Sequence, residues 1–372
     1  MPDRSRKIFL SPGPPQQWAD LSADILHRGR LTCGETVEQF EHAFAEYIGS
    51  AYAVMVNSGS SANFLVMAAL GLPKGAKVIV PALTWPTTVA PVIQLGLEPV
   101  FVDADVETFQ QDIDEIFGEL NSGVAAVWIA HIMGNVTPVT DVLFHHLPEG
   151  VRLLEDCCEA FGTKYRGQHV GTFGLAGTFS FFMTHQLMTG EGGMVVTDDY
   201  EFYKKLKSMR SHGWGRDYSD LQVAGLDPRF TFAHLGYNFR PTELNAAFGL
   251  QQLEAWSDNA LTRNEVYESM RRIKGCIPIA ITPLTSPSPF AYAARSPKKL
   301  AIMASLEEAG IENRPLLGGN LLRHPAFQAY GSAKDYPGAE TLTEEGFYWP
   351  CHHGLTEEDV ERIELAILRA AV

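Results

Sequence analysis

Four short stretches of this chain combine residue types that can do chemistry. From Thr178 to Asp199 an apolar run is followed by a polar break at Thr184, His185 and Gln186, a glycine turn ending at Gly193, and a second apolar run. This stretch holds no lysine, and Lys164 and Lys204 lie about 20 residues from His185 on either side. An imidazole can move protons near neutral pH but cannot hold a carbonyl compound as a stable Schiff base. A histidine satisfying a core hydrogen bond is the plain structural alternative.

The second stretch, Asn57-Ser58-Gly59-Ser60-Ser61-Ala62-Asn63, lies between a strand pattern and a helix pattern. It gathers backbone N–H groups and hydroxyls at the positive end of a helix, which is a seat for phosphate. Gly59 would let the backbone approach an anion closely, and Ser60 would add a hydroxyl donor; an ordinary capped turn has the same composition. In the third, Asp156 and Glu159 follow the apolar pair Leu153 and Leu154. At the carboxyl end of a parallel strand such carboxylates face the ligand crevice of an open α/β sheet, and helix capping by Asp156 is the alternative. The fourth places Trp85 just after the strand pattern Val78–Val80, suited either to stacking on a flat heteroaromatic ring or to the core. A weaker element, Gly236 to Pro241, carries Asn238 and Arg240 on a polar turn before a long helical pattern, within reach of a phosphate.

The elements that must position these groups alternate helical and strand periods from residue 35 to about 200, the pattern of a mostly parallel sheet with covering helices. Strands are predicted at 52–56, 77–80, 98–102, 124–129, 152–155, 178–182 and 193–197, and a helix over 62–70. Most of the strands are continuous apolar runs, as burial on both faces requires. The helical pattern from Thr242 is expected to run on past Trp256. A boundary near 255 divides the chain into a large domain with an N-terminal arm, 1–255, and a small domain, 256–372, in which the Pro/Ser-rich stretch 282–289 reads as a connection or irregular edge strand.

Composition narrows the classes. The chain has 372 residues, 45% of them hydrophobic and 20% charged, ordinary values for a globular protein. A net charge of −15 argues against nucleic-acid or anionic-membrane partners, although a local basic pocket for a phosphorylated ligand is compatible with it. The N-terminal residues lack a signal-peptide apolar stretch, and no run approaches the roughly 20 apolar residues of a membrane helix, so a cytoplasmic location is expected. Cys33, Cys157, Cys158, Cys276 and Cys351 show no CxxC or CxC spacing, so neither a disulfide framework nor a local metal motif is expected.

Together these motifs resemble the sugar aminotransferase and dehydratase (DegT/DnrJ/EryC1/StrS) family of fold-type-I pyridoxal phosphate (PLP) enzymes. The resemblance covers about residues 30–355. It rests on Gly34 to Glu41, Ser58 to Asn63, Glu155 to Ala160, Gly171 to Ser180, Gly190 to Gly193, Ser211 to Trp214, Gly236 to Pro241 and Asn313 to Pro315. It implies an aspartate-aminotransferase-like α/β fold: a large domain with a mostly parallel seven-stranded sheet and a smaller C-terminal α/β domain.

It also implies phosphate contacts at Gly59 and Ser60, stacking by Trp85, Asp156 opposite the pyridine nitrogen, and further cofactor contacts at Glu159 and Ser180. Asn238 is implied to reach the cofactor of a neighbouring subunit in a homodimer, while His212, Arg216 and Arg314 are candidate substrate contacts. No metal is implied. Where the family normally has the cofactor-binding lysine this chain has His185, which is similar to the dehydratase branch that removes the 3-hydroxyl of a nucleotide-linked 4-keto-6-deoxyhexose. A GDP-linked sugar as substrate, glutamate as amino donor and cycling between PLP and pyridoxamine phosphate (PMP) are the matching expectations, in deoxysugar or lipopolysaccharide biosynthesis. The missing CxC cluster sets the chain apart from iron–sulfur-dependent relatives, and Gln186 departs from the branch, which tends to have a second histidine there. An aminotransferase recruiting a distant lysine and a silent PLP- or sugar-binding protein are the competing readings.

Overall fold

A computed structural model describes the chain except residues 1–5, 139–142, 144, 217, 219–220, 222 and 372. Seven strands, β1 (Tyr52–Val56), β2 (Lys77–Pro81), β3 (Glu98–Val102), β4 (Val124–Ala130), β5 (Arg152–Asp156), β6 (Ala176–Ser180) and β7 (Gly193–Thr197), form one sheet in the order β1-β7-β6-β5-β4-β2-β3. Every neighbouring pair is parallel except those that β7 makes with β1 and β6. This is the expected mostly parallel, seven-stranded α/β architecture.

Side chains alternate between faces along a strand, and both faces here are covered. In β1, Val54 and Val56 join the core that contains Ala62, Leu65 and Val66, whereas Ala53 and Met55 join the one built on Phe40 and Phe44. The covering elements are helix α1 (Gly59–Leu70) on the first face and, on the second, the helix Glu35–Ile48, which precedes β1. In β4, Trp128 faces the first core, and Val127 and Ile129 face a separate cluster with Ile116. Double burial explains why these strands read as unbroken apolar runs.

Two boundaries differ from the sequence expectation. Helix α1 starts at Gly59 rather than Ala62, because Ser58 caps it by accepting the Ser61 N–H at 3.1 Å. Strand β6 covers 176–180 rather than 178–182. Its start is fixed by backbone contact, since a Cβ on Gly177 would lie 2.4 Å from Gly171, and apolar periodicity does not report such an approach.

The helical pattern from Thr242 also breaks, into α2 (Glu243–Glu254) and α3 (Trp256–Met270), with Ala255 between them. The strands Ile277–Pro278, Tyr292–Arg295, Gly346–Trp349 and Arg314–Pro315 form a second, antiparallel sheet beyond this break. The Pro/Ser-rich stretch does not stay with that sheet. Thr282 N–H donates to Asn135 Oδ1 at 3.0 Å, Thr285 and Ser286 pair with Tyr165 and Lys164, and Ser288 N–H donates to Thr163 Oγ1 at 3.1 Å. It is a seam against the seven-stranded body, buried at Thr282, Ser288 and Pro289 and exposed at Pro283, Leu284 and Ser286.

Candidate active site

The register of the main sheet brings the chemically interesting residues to one edge. Val56 lies opposite Gly193, Gly193 opposite Ser180, and Ala130 opposite Asp156. The carboxyl ends of β1, β2, β4, β5 and β6 therefore open on one crevice, the usual ligand position in open α/β sheets. A cavity of about 260 Å³ lies there, lined among others by Gly59, Ser60, Trp85, Asp156, Glu159, Ser180, His185 and Arg314. Eight of the eleven candidate residues thus share one space, drawn from positions as far apart as 59 and 314.

Asp156 is held from three directions. Its Oδ2 accepts from Asn63 Nδ2 at 2.7 Å and Thr88 Oγ1 at 2.8 Å, and its Oδ1 accepts the Cys158 N–H at 3.0 Å. These hydrogen bonds fix the direction of the carboxylate. Asn63 is itself oriented by Thr178 Oγ1, which donates to Asn63 Oδ1 at 2.6 Å. Sequence reasoning missed Asn63 and Thr88 as supports of Asp156. The available signal was polar side chains facing a sheet edge from inside otherwise apolar helices.

Gly59 packs so tightly that an added Cβ would meet Ser180 Cβ at 2.5 Å and Cys158 Sγ at 3.0 Å. Only glycine fits, so the start of α1 presents its N–H groups without a side chain in front of them. Ser60 Oγ donates to Thr87 Oγ1 at 3.0 Å. Trp85 is 56% exposed at the cavity wall, which removes the core alternative for this indole.

Glu159 accepts the Met133 N–H at 3.0 Å. Burial, with a smaller contribution from nearby Asp156, raises its carboxyl to about 8 against the opposing effect of that hydrogen bond. His185 moves the other way, its pKa lowered to about 3 chiefly by burial, with the Arg263 cation adding to the effect. At neutral pH the cavity therefore holds a protonated carboxyl and a neutral imidazole. Among the described residues the buried His185 Nδ1 has no hydrogen-bond partner, and the imidazole lines the cavity. Phe290 packs against the ring, centroids 5.0 Å apart and planes at 73°. Phe290 and Tyr348 reach the cavity from beyond residue 255 with no local sequence signal.

Gln186 is buried and turned away from the cavity. Its Nε2 donates to Glu159 O at 2.6 Å and Ser288 O at 3.0 Å. The difference from the dehydratase branch at this position therefore bears on how the His185 turn is anchored, and Gln186 is not part of the cavity lining. Three candidates lie outside the cavity. His212 and Asn238 are exposed, and the exposed Arg216 guanidinium stacks on Trp214 at 3.8 Å. Arg314 lines the cavity with Nη2 bonded to Glu312 Oε1 at 2.9 Å.

One potential metal group occurs among the described residues, His131, Glu155 and Cys157, with ligand atoms within 4.8 Å of one another. The histidine and carboxylate atoms are already committed. His131 Nδ1 accepts the Thr137 N–H at 3.1 Å, so its Nε2 donates to Glu155 Oε2 at 3.1 Å, and that carboxylate also accepts the N–H groups of Gly171, Phe173 and Gly174. The group is a buried clamp beside Asp156. The five cysteines are free thiols.

The model of the DegT/DnrJ/EryC1/StrS aminotransferase family matches residues 16–368. The chain belongs to this family. Among its members, the chain is 34% identical to GDP-4-keto-6-deoxy-D-mannose 3-dehydratase of Yersinia pseudotuberculosis, covering 96% of this chain and 98% of the relative. It is 33% identical to dTDP-4-dehydro-2,6-dideoxy-D-glucose 3-dehydratase of Saccharopolyspora spinosa, over 90% of this chain and 80% of the relative. A solved structure of GDP-4-keto-6-deoxymannose-3-dehydratase with a trapped PLP-glutamate geminal diamine superposes with a TM-score of 0.89 at 31% identity, covering 96% of this chain and 99% of that one. Family membership makes the cavity at the sheet edge the place to seek the chemistry, and it fixes the fold as that of a PLP-dependent aminotransferase.

Proposed function

We propose that this family member is a PLP-dependent 3-dehydratase acting on a nucleotide-linked 4-keto-6-deoxyhexose. The observation that carries the reading is His185 in a cavity whose lining, among the described residues, contains no lysine. PLP fits the groups present. A buried, hydrogen-bonded Asp156 suits a pyridinium nitrogen, the glycine-only approach at Gly59 with Ser60 suits a phosphate, and the exposed face of Trp85 suits a flat ring. Glu159 and Ser180 complete the wall. When bound, PLP and its amine form PMP supply an electron sink that lets a carbon–hydrogen bond break and a neighbouring carbon–oxygen bond follow.

With no lysine the cofactor is held by these non-covalent contacts alone. The His185 imidazole would take the proton released when that carbon–hydrogen bond breaks, the role a lysine amine has in an aminotransferase. Its low basicity matters afterwards: the imidazolium so formed is a strong acid, and it protonates the departing C3 hydroxyl, which leaves as water. One ring nitrogen thus serves as base and then acid. Similarity to the GDP-sugar enzymes supports a GDP-linked substrate and glutamate as amino donor. Asn238, exposed on the loop before α2, is assigned to the cofactor phosphate of a second subunit, which makes the working unit a homodimer; His212 and Arg216 are assigned to substrate with Arg314. A cytoplasmic location completes the proposal, and no helix among the described residues is long and apolar enough to cross a membrane.

The test is to incubate purified protein with PLP, glutamate and GDP-, CDP- or dTDP-4-keto-6-deoxyhexose and follow loss of the 3-hydroxyl by mass. Formation of a 3-deoxy sugar from the GDP substrate supports the reading. Formation of a 4-amino sugar in its place would replace it with an aminotransferase.

A further inference from the structure

One side chain near the cavity carries an unexplained charge. Arg263, on α3, is 2% exposed, and among the described residues no carboxylate is bonded to it. Burying an unpaired guanidinium costs several kcal/mol unless it is well hydrogen-bonded. Its Nη1 donates to three carbonyls, Pro289 O at 3.0 Å, Phe290 O at 3.4 Å and Cys351 O at 2.8 Å. Two of these, Pro289 and Phe290, lie at the end of the seam, where the Phe290 ring packs against His185.

That seam grips the His185 turn at two points. The Phe290 ring stands edge-on to the imidazole, and the Ser288 carbonyl accepts from Gln186 Nε2, which also holds the Glu159 carbonyl. Ser288 is fixed in turn from the opposite side. Its N–H meets Gly134 O at 3.3 Å and Thr163 Oγ1 at 3.1 Å, and a Cβ on Gly134 would lie 1.9 Å from its carbonyl oxygen. A lysine bonded to a cofactor would be located by that bond. A histidine that only moves protons has no such tether and needs its ring orientation supplied by packing.

We propose that Arg263 and Gln186 are positioning residues for His185, fastening the Ser288–Phe290 strap so that the Phe290 ring holds the imidazole at its working angle. Arg263 acts on the strap carbonyls and Gln186 ties the strap to the turn itself. The Arg263 charge also works against protonation of the ring. The other ionisable groups lining the cavity are Asp156, Glu159, Glu191, Arg314, His131, Cys158 and Tyr348. The proposal rests on the dehydratase reading above and deepens it.

The test compares Arg263→Lys, which keeps the charge and loses the planar fork, Gln186→Met, and Phe290→Leu, which removes the edge-on ring but keeps apolar volume. All are made in the full-length, PLP-loaded protein. Misplacement of a reacting group by about an ångström can lower a rate about a hundredfold. Each variant is expected to lose ten- to a hundredfold in kcat, with KM for the sugar and PLP affinity within threefold of wild type.

A second readout needs no turnover. The rate of His185 carbethoxylation by diethyl pyrocarbonate, measured by peptide mass, is expected to rise at least fivefold once the strap is loosened. Unchanged kcat and unchanged His185 reactivity in Phe290→Leu and Gln186→Met would overturn the proposal, even if Arg263→Lys fails to fold. A rate loss accompanied by equal loss of PLP binding would also overturn it, by showing a structural role only. If the wild type removes no 3-hydroxyl, the dehydratase reading fails alone, and the carbethoxylation comparison still decides whether the strap orients the ring.

Discussion

Replacing Glu159 by glutamine should remove a loss of stability that the native protein suffers as pH rises. Its carboxyl titrates near 4.5 in the unfolded chain and at about 8 in the cavity, raised mainly by burial. Folding therefore retains a proton on this group between those values. Its contribution is fully present below pH 4.5 and is lost as pH climbs through 8. A shift of that size corresponds to at most roughly 5 kcal/mol. Because Glu159 is partly exposed to the open cavity, it keeps some hydration when ionised, which brings the expected change to about 1–3 kcal/mol.

The glutamine amide of the Glu159→Gln variant would keep an acceptor for the Met133 N–H without a titrating group. Urea unfolding of PLP-free protein at several pH values between 5 and 9 measures the effect. The stability difference between Glu159→Gln and wild type should move in favour of the variant by about 1–3 kcal/mol from the acid to the alkaline end. A difference that stays constant over that range would refute the reasoning, because Glu159 would then be ionised throughout.

Other perturbations give independent tests. His185→Asn should lower 3-hydroxyl removal by about 10²- to 10⁴-fold, the usual contribution of a general acid–base, while PLP still binds; retained turnover would exclude the assigned role. The same variant should lose less stability than wild type as pH falls from 6.5 towards 3, since a histidine with a lowered pKa contributes stability above its unfolded value that disappears on acidification. His185→Lys should give covalent PLP, seen as a borohydride-reducible adduct at position 185, with dehydration lost. Gly59→Ala should weaken PLP binding at least tenfold and cost about 1–3 kcal/mol, because its Cβ would sit 2.5 Å from Ser180 Cβ; unchanged affinity would remove Gly59 from the phosphate seat.

Much of the main sheet was legible because burial on both faces demands unbroken apolar runs, and six of its seven strands begin where those runs begin. Strand β6 was displaced because its position depends on the close approach of Gly177 to Gly171. The glycine turn and the carboxylates at the end of β5 were readable from residue type, since each has few substitutes for its task, and the histidine in place of lysine was read through the resemblance to the family. What surrounds them was not. Asn63 and Thr88 meet Asp156 only because α1 and the helix Pro86–Gln94 converge on the carboxyl edge, and Phe290 reaches His185 across more than a hundred residues of chain.

By itself the sequence determined which atoms are available: an imidazole that cannot anchor a carbonyl, and a turn rich in hydroxyls and N–H groups. Tertiary structure decided their state and direction. Burial separates the proton affinities of Glu159 and His185, and Gln186 ties the Glu159 and Ser288 carbonyls together outside the cavity lining. Proton affinity and orientation depend on what lies within a few ångströms in space, and that neighbourhood is assembled from segments that sequence order keeps far apart.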